Sequence, residues 1–144
     1  MADNLDAIRQ QIMDHPTNSS YHALGYSPLY TAGEKARVVV VGQAPGRRAQ
    51  LSGVPWQDAS GERLVQWMGI DKRIFYDPQQ VSILPMDFYY PGRGKGGDLP
   101  PRKEFAPLWH SRILALMPEA TLFLLVGRYA QCYYLPGAAR QSLT

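Results

Sequence analysis

A glycine-rich turn and two nearby side chains are the residues of this chain most suited to chemistry. Residues 38–46 read VVVVGQAPG, so a run of valines leads directly into the turn. Trp56 and Asp58 follow shortly afterwards, two positions apart and just before a helical pattern. An indole offers a flat face on which a planar ligand can stack, and a carboxylate can polarise water or stabilise a developing cation. The spacing predicts that the turn and these two side chains border one site.

The turn does not match the common phosphate-binding loops. A Walker loop would supply a lysine and a serine or threonine after its last glycine, and a dinucleotide fingerprint would read G-x-G-x-x-G. Pro45 also removes a backbone donor that a phosphate nest would use. Simpler interpretations stay open at this point: a tight strand-to-loop turn, a core position for Trp56 and a helix cap for Asp58.

Composition limits the class of protein. Of the 144 residues, 45% are apolar and 19% are charged, which is typical of a soluble protein, and we expect residues 1–144 to form a single domain. The net charge of +3 permits a polyanionic partner without requiring one. The single cysteine, Cys132, excludes a four-cysteine zinc or iron-sulfur site within one chain. No histidine is assigned to a metal, and we expect no metal and no cofactor.

The ends and the apolar runs of the chain bear on its location. No window approaches the ~18 uninterrupted apolar residues of a membrane span. The N-terminus has acidic residues where a signal peptide would have basic ones. We therefore expect a cytoplasmic protein without membrane contact, and the sequence does not indicate an oligomeric state.

Three strand-turn-helix units position the candidate residues. Strands are predicted at residues 38–41, 81–85 and 120–127, and helices at residues 5–13, 61–69, 105–117 and 128–135. The pattern predicts an α/β fold, a three-layer α/β/α sandwich with a short, mostly parallel central sheet. Because ligands bind beyond the carboxyl ends of strands in such sheets, the loops after Val41, Leu84 and Val126 should share one crevice.

The combination of motifs resembles the uracil-DNA glycosylase superfamily. VVVVGQAPG is followed at short spacing by GVPWQDASGERL, then by a strand ending in ILP and a proline-rich basic loop. The first of these is similar to the G-E-A-P-G or G-L-A-P-G motif of the bacterial and archaeal branches. The resemblance spans residues 38 to about 135.

This resemblance implies a repair enzyme that hydrolyses the N-glycosidic bond of uracil, or of a related damaged base, after flipping it out of DNA. It implies that Gly42, Gln43 and Ala44 line the base pocket, with Gln43 positioning the attacking water. It also implies that Trp56 stacks on the flipped base. Asp58 lies one residue from a position that carries the catalytic carboxylate in some branches. No lysine nucleophile adjoins Asp58, which favours hydrolysis without a lyase step.

A long loop, residues 86–105, reads MDFYYPGRGKGGDLPPRKEF and mixes aromatic and basic residues. Aromatic side chains can stack on or wedge between bases, and basic side chains can bind phosphates. Uracil-containing DNA is the partner that the resemblance implies, and a solvated loop without a ligand is the plainer alternative. The expected DNA contacts are Arg47, Arg48, Tyr90, Arg93, Lys95, Arg102 and Lys103.

The chain departs from the family pattern at three points. It lacks the four cysteines of the iron-sulfur branch, and Ile83-Leu84-Pro85 stands where related members carry an asparagine that reads the uracil edge. The His-Pro-Ser-type motif of the family does not occur before Thr144. We therefore expect a chain that is truncated at its C-terminus and lacks the last strand of the sheet. Loss of one oxyanion donor lowers rates by about 10²–10³-fold in other enzymes, so activity should be reduced.

Two other functions stay open on the sequence. One is a catalytically degenerate module of the same fold that binds a nucleobase or nucleic acid. The other is an α/β enzyme acting on a small phosphorylated or nucleoside substrate.

Overall fold

A short parallel sheet flanked by helices forms the centre of the protein. The computed structural model describes residues 4–135. The three strands of the sheet are β1 (Val38–Val41), β2 (Val81–Ile83) and β5 (Leu122–Leu125), and a small hairpin is formed by β3 (Arg93–Gly94) and β4 (Gly97–Asp98). The helices are α1 (Leu5–Asp14), α2 (Ser19–Ala23), α3 (Arg47–Ser52), α4 (Ala59–Met68), α5 (Lys72–Phe75), α6 (Phe105–Leu114) and α7 (Arg128–Tyr134). A 3₁₀ turn spans Pro16–Asn18.

The sheet has the strand order β2-β1-β5, and both pairings are parallel. Val38 pairs with Val81 on one side and with Leu122 on the other. Because β1 is central, its β-branched side chains are covered on both faces, and the last three valines of the strand are fully buried. This arrangement confirms the predicted α/β fold with a short parallel sheet.

Two hydrophobic clusters lie on opposite faces of β1. Val39 and Val41 pack with residues of α1, α6 and α7, while Val40 packs with residues of α4 and α5. Successive residues of a strand point to opposite faces, so one run of valines supplies both clusters. The sheet thus lies between two helical layers.

Several element boundaries differ from the sequence expectation. Helix α4 begins at Ala59 and is capped by Asp58, where we had expected Ser60 as the cap, because the Asp58 carboxylate accepts a hydrogen bond from the Gly61 N–H at 2.9 Å. Trp67, expected on an apolar helix face, has 77% of its surface exposed. Residues 17–33, expected to be an irregular loop, contain α2 and a bridge from Thr31 to Ile83. The expected loss of a final strand concerns the chain beyond residue 135 and lies outside the described residues.

Candidate active site

A cavity of about 270 Å³ opens where the loops after β1 and β2 meet. The turn 42–46 forms one part of its wall, and Pro85, which follows β2, forms another. The cavity is also lined by Leu29, Ala49, Pro55, Trp56, Asp58, Ser60 and Asp98. Its volume is near the lower end of the range for small-molecule sites, which suits a single planar ring system. The structure therefore brings the predicted turn together with Trp56 and Asp58.

Backbone hydrogen bonds from the loop after β2 hold the turn in place. The Met86 N–H donates to the Gly42 carbonyl at 2.9 Å, and the Asp87 N–H donates to the Gln43 carbonyl at 3.2 Å. These bonds continue the parallel pairing of β1 and β2 beyond the strands themselves. Gly42 is buried, Ala44 is half-buried and Gln43 is exposed at the cavity.

Trp56 adopts an unusual backbone conformation. Its φ of 60° is the only positive value at a non-glycine position in residues 4–135. A Cβ at Gly42 would lie 2.8 Å from Cζ2 of the indole, and one at Gly61 would lie 1.7 Å from the Trp56 carbonyl oxygen. The Tyr76 hydroxyl also donates to the Pro55 carbonyl at 2.7 Å. Strain of this kind persists only where surrounding contacts impose it, and it is frequent at functional sites.

Asp58 combines a capping role with a place in the cavity wall. Its Oδ1 accepts the Gly61 N–H, and its side chain is exposed. Within the described chain its Oδ2 has no hydrogen-bond partner. The helix-cap interpretation is therefore correct, yet one carboxylate oxygen is left to face a ligand.

The family follows from this matched region of the chain. A family model described as Uracil DNA glycosylase superfamily matches residues 29–143, which include every residue that lines the cavity. The chain belongs to the uracil DNA glycosylase superfamily. Membership assigns glycosylase and DNA-repair chemistry at the level of the superfamily.

The cations predicted to contact DNA fall into two groups in this superfamily member. One group is exposed: Arg47 and Arg48 at the start of α3, Arg93 and Lys95 on the hairpin, and Lys103. Both α3 and the hairpin also line the cavity, through Ala49 and Asp98. The exposed cations are thus carried by elements that adjoin the site.

Arg102 belongs to the second group, because its guanidinium points inward. It forms a two-bond pair with Asp87, with Nε to Oδ2 at 2.8 Å and Nη2 to Oδ1 at 2.9 Å. Its Nη1 donates to the Thr17 carbonyl, and its guanidinium lies over the rings of Tyr21 and Phe105. These contacts occupy the donors that a phosphate would need, so we correct the expectation and assign Arg102 a structural role.

Tyr90 also differs from its expected place on the DNA-facing surface. Only 7% of its surface is exposed, so its ring cannot stack on a base. Its N–H donates to Oε1 of Gln50 at 2.8 Å, and its hydroxyl donates to Oδ1 of Asp98 at 3.3 Å. Tyr90 therefore supports the cavity wall from behind.

His110 supports the same wall from the core. It is buried between the Pro85 carbonyl, 2.7 Å from Nε2, and the Tyr134 hydroxyl, 2.6 Å from Nδ1. A carbonyl only accepts, so Nε2 carries the proton and Nδ1 accepts from the hydroxyl. Burial lowers the pKa of His110 to about 4, which keeps the ring neutral.

Sequence reasoning missed three residues that shape the site: Asp87, Asp98 and Tyr76. Asp87 and Asp98 stood in a loop that suggested only bases and aromatic groups, and Tyr76 stood in a short segment with no motif. Among residues 4–135, no three His, Cys, Asp or Glu side chains are grouped so that they could hold a metal ion. None of the helices in that range has the length and hydropathy that crossing a bilayer requires.

Proposed function

We propose that this uracil DNA glycosylase superfamily member hydrolyses the N-glycosidic bond of uracil, or of a related damaged base, in DNA. The observation that carries the proposal is the cavity in which a strained Trp56, the turn 42–46 and Asp58 converge. The target base must leave the duplex stack to enter such a cavity.

The lining residues suit this chemistry. The Trp56 indole offers a surface on which a flipped base can stack, and Gly42 and Ala44 let the backbone approach the ring closely. As the bond breaks, positive charge develops on the sugar and negative charge on the departing base. The free oxygen of Asp58 stabilises the first charge, and the Gln43 amide can hold the attacking water by hydrogen bonds.

The exposed cations supply DNA binding in this proposal. Arg47 and Arg48 precede the cavity residue Ala49 on α3, and Arg93 lies opposite the cavity residue Asp98 on the hairpin. Phosphates on both sides of a flipped nucleotide can then meet basic side chains. Binding should therefore weaken as salt rises, because each phosphate contact releases counterions.

The experiment is an abasic-site assay. Single- and double-stranded oligonucleotides with one uracil, and matched strands with thymine, are incubated with the full chain and cleaved with alkali. We expect strand breaks at uracil, abolished or strongly reduced by Asp58→Asn, while a remote control, Glu119→Gln, retains full activity. Salt-dependent DNA binding without strand breaks would instead establish the degenerate binding module and refute the glycosylase proposal.

A further inference from the structure

The cavity lacks an obvious acceptor for the proton of the attacking water. The Gln43 amide can hydrogen-bond a water, but an amide is not a base at neutral pH. Asp58 already uses one carboxylate oxygen to cap α4. General-base catalysis needs a carboxylate or imidazole within hydrogen-bond reach of the water. Another group that lines the cavity must therefore take the proton.

Asp98 is the other carboxylate in the cavity wall. It reaches the site from β4, on the side that carries the hairpin, whereas Asp58 stands at the start of α4. Its Oδ1 accepts a hydrogen bond from the Tyr90 hydroxyl at 3.3 Å. In the described part of the chain, its Oδ2 has no hydrogen-bond partner. One oxygen is thus anchored while the other is left for a ligand or a water.

The hairpin fixes the backbone that presents Asp98. Arg93 pairs with Asp98 in the antiparallel β3 and β4, and the Leu99 N–H donates to the Gly92 carbonyl at 2.7 Å. Leu99 also packs so closely on Gly94 that a Cβ there would lie 3.0 Å from Cδ2 of the leucine. Asp98 therefore lies on a closed two-stranded turn and not on an open loop.

The charges around Asp98 keep its anchor protonated. The pKa of the Tyr90 hydroxyl is raised by burial and by the charge of Asp98, while Arg47 and Arg93 act on it in the opposite sense. The hydroxyl therefore stays a hydrogen-bond donor to the carboxylate. The titratable and charged groups that face this corner are Tyr90, Arg47, Arg93 and, across the cavity, Asp58.

We propose that Asp98 is the general base of this site, orienting the water and accepting its proton. The inference rests on the proposed glycosylase function. The water oxygen forms a bond to C1′ of the flipped nucleotide, and one proton of that water passes to Oδ2 of Asp98. The C1′–N bond breaks, and its electron pair leaves with the base, which is protonated from solvent. Asp58 stabilises the positive charge that develops on the sugar.

The test compares single-turnover base release from uracil DNA by the wild-type chain and by Asp98→Asn. Loss of a positioned general base lowers rates by about 10²–10⁴-fold, so we expect at least a 100-fold loss with DNA affinity unchanged. Thermal unfolding verifies that the variant is folded. Glu119→Gln, an exposed acidic position outside the cavity wall, serves as the matched control and should retain the wild-type rate.

Two further measurements separate a general base from a structural residue. Asp98→Gly with added formate should recover part of the rate, because a small carboxylate can occupy the space of the missing side chain. The fall in rate at low pH shown by the wild-type chain should disappear in Asp98→Asn. Tyr90→Phe, which removes the anchor but keeps the carboxylate, should cause a smaller loss than Asp98→Asn.

Each outcome decides the inference. Loss in Asp98→Asn together with formate rescue supports it, even if the Asn variant alone is poorly folded. A loss that responds neither to formate nor to pH indicates a structural role and overturns it. A wild-type chain that releases uracil, with Asp98→Asn within threefold of it, overturns the general base while the glycosylase proposal stands. A wild-type chain that releases no base overturns both.

Discussion

The Asp87–Arg102 pair provides a direct test of how the loop after β2 is held. Arg102→Met should destabilise the protein by about 3–5 kcal/mol, because it leaves a buried carboxylate without its counter-charge. Asp87 is fully buried and the Arg102 side chain is 17% exposed, so water screens the pair weakly. Since domains of this size are stable by about 5–15 kcal/mol, the change would remove a large fraction of the free energy of unfolding.

The carboxylate has more partners than the guanidinium alone. Its oxygens also accept the backbone N–H groups of Tyr89 and Arg102, both at 3.1 Å. Those two bonds survive in Arg102→Met, which keeps the expected cost within the quoted range. Arg102→Lys retains a charge but cannot form two parallel bonds to one carboxylate, so its loss should be intermediate.

Urea unfolding at 25 °C, followed by circular dichroism, measures these differences. Lys103→Met serves as the control, because Lys103 is exposed and neighbours Arg102 in sequence. The double variant Asp87→Asn with Arg102→Met should regain part of the loss, since it buries no uncompensated charge. A change below about 1 kcal/mol in Arg102→Met, with an unchanged urea slope, would refute the reasoning.

Three further predictions follow from the site. The folded-state pKa of His110, about 4, lies below its ordinary value of 6.5, so the unfolded chain binds a proton first; stability should fall by about 3 kcal/mol as pH drops from 6.5 to 4, and urea unfolding of His110→Phe should lack this component. Gly42→Ala should displace the Trp56 ring, since its methyl would lie 2.8 Å from Cζ2, and should lower base release at least tenfold without unfolding the chain, as measured by single-turnover assay and indole fluorescence. Arg93→Gln and Lys95→Gln together should weaken DNA binding at all sequences and reduce the salt slope by about 1 per lost phosphate contact, measured by titration at several salt concentrations, and an unchanged slope would remove the hairpin from the DNA-binding surface.

The sequence predicted the elements whose signals are local. Four consecutive β-branched residues at β1 have few alternatives to a buried strand, and the turn after them fixed the position of the cavity. The place of Asp58 beside the turn was also predicted, because strand ends of a parallel sheet converge.

Features that depend on distant partners were not predictable from the sequence. Arg102 was expected at the surface because the sequence shows its basic neighbours, whereas Asp87, its actual partner, is identified only in three dimensions. The positive φ of Trp56 is imposed by contacts with Gly42 and Gly61, which no propensity reports. Helix α3 was missed because RRAQLS is too short to show an apolar period.

The strand order of the sheet has a consequence for synthesis of the protein. The central strand β1 is made early, yet its partner Leu122 in β5 is added roughly 80 residues later. At about 5–20 residues per second, the four valines wait on the order of ten seconds before both neighbours exist. During that interval a continuous apolar segment of the nascent chain is unpaired, and long-range parallel pairing is slow to form. The segment that anchors the cavity is therefore also the part of the growing chain most in need of protection by a chaperone.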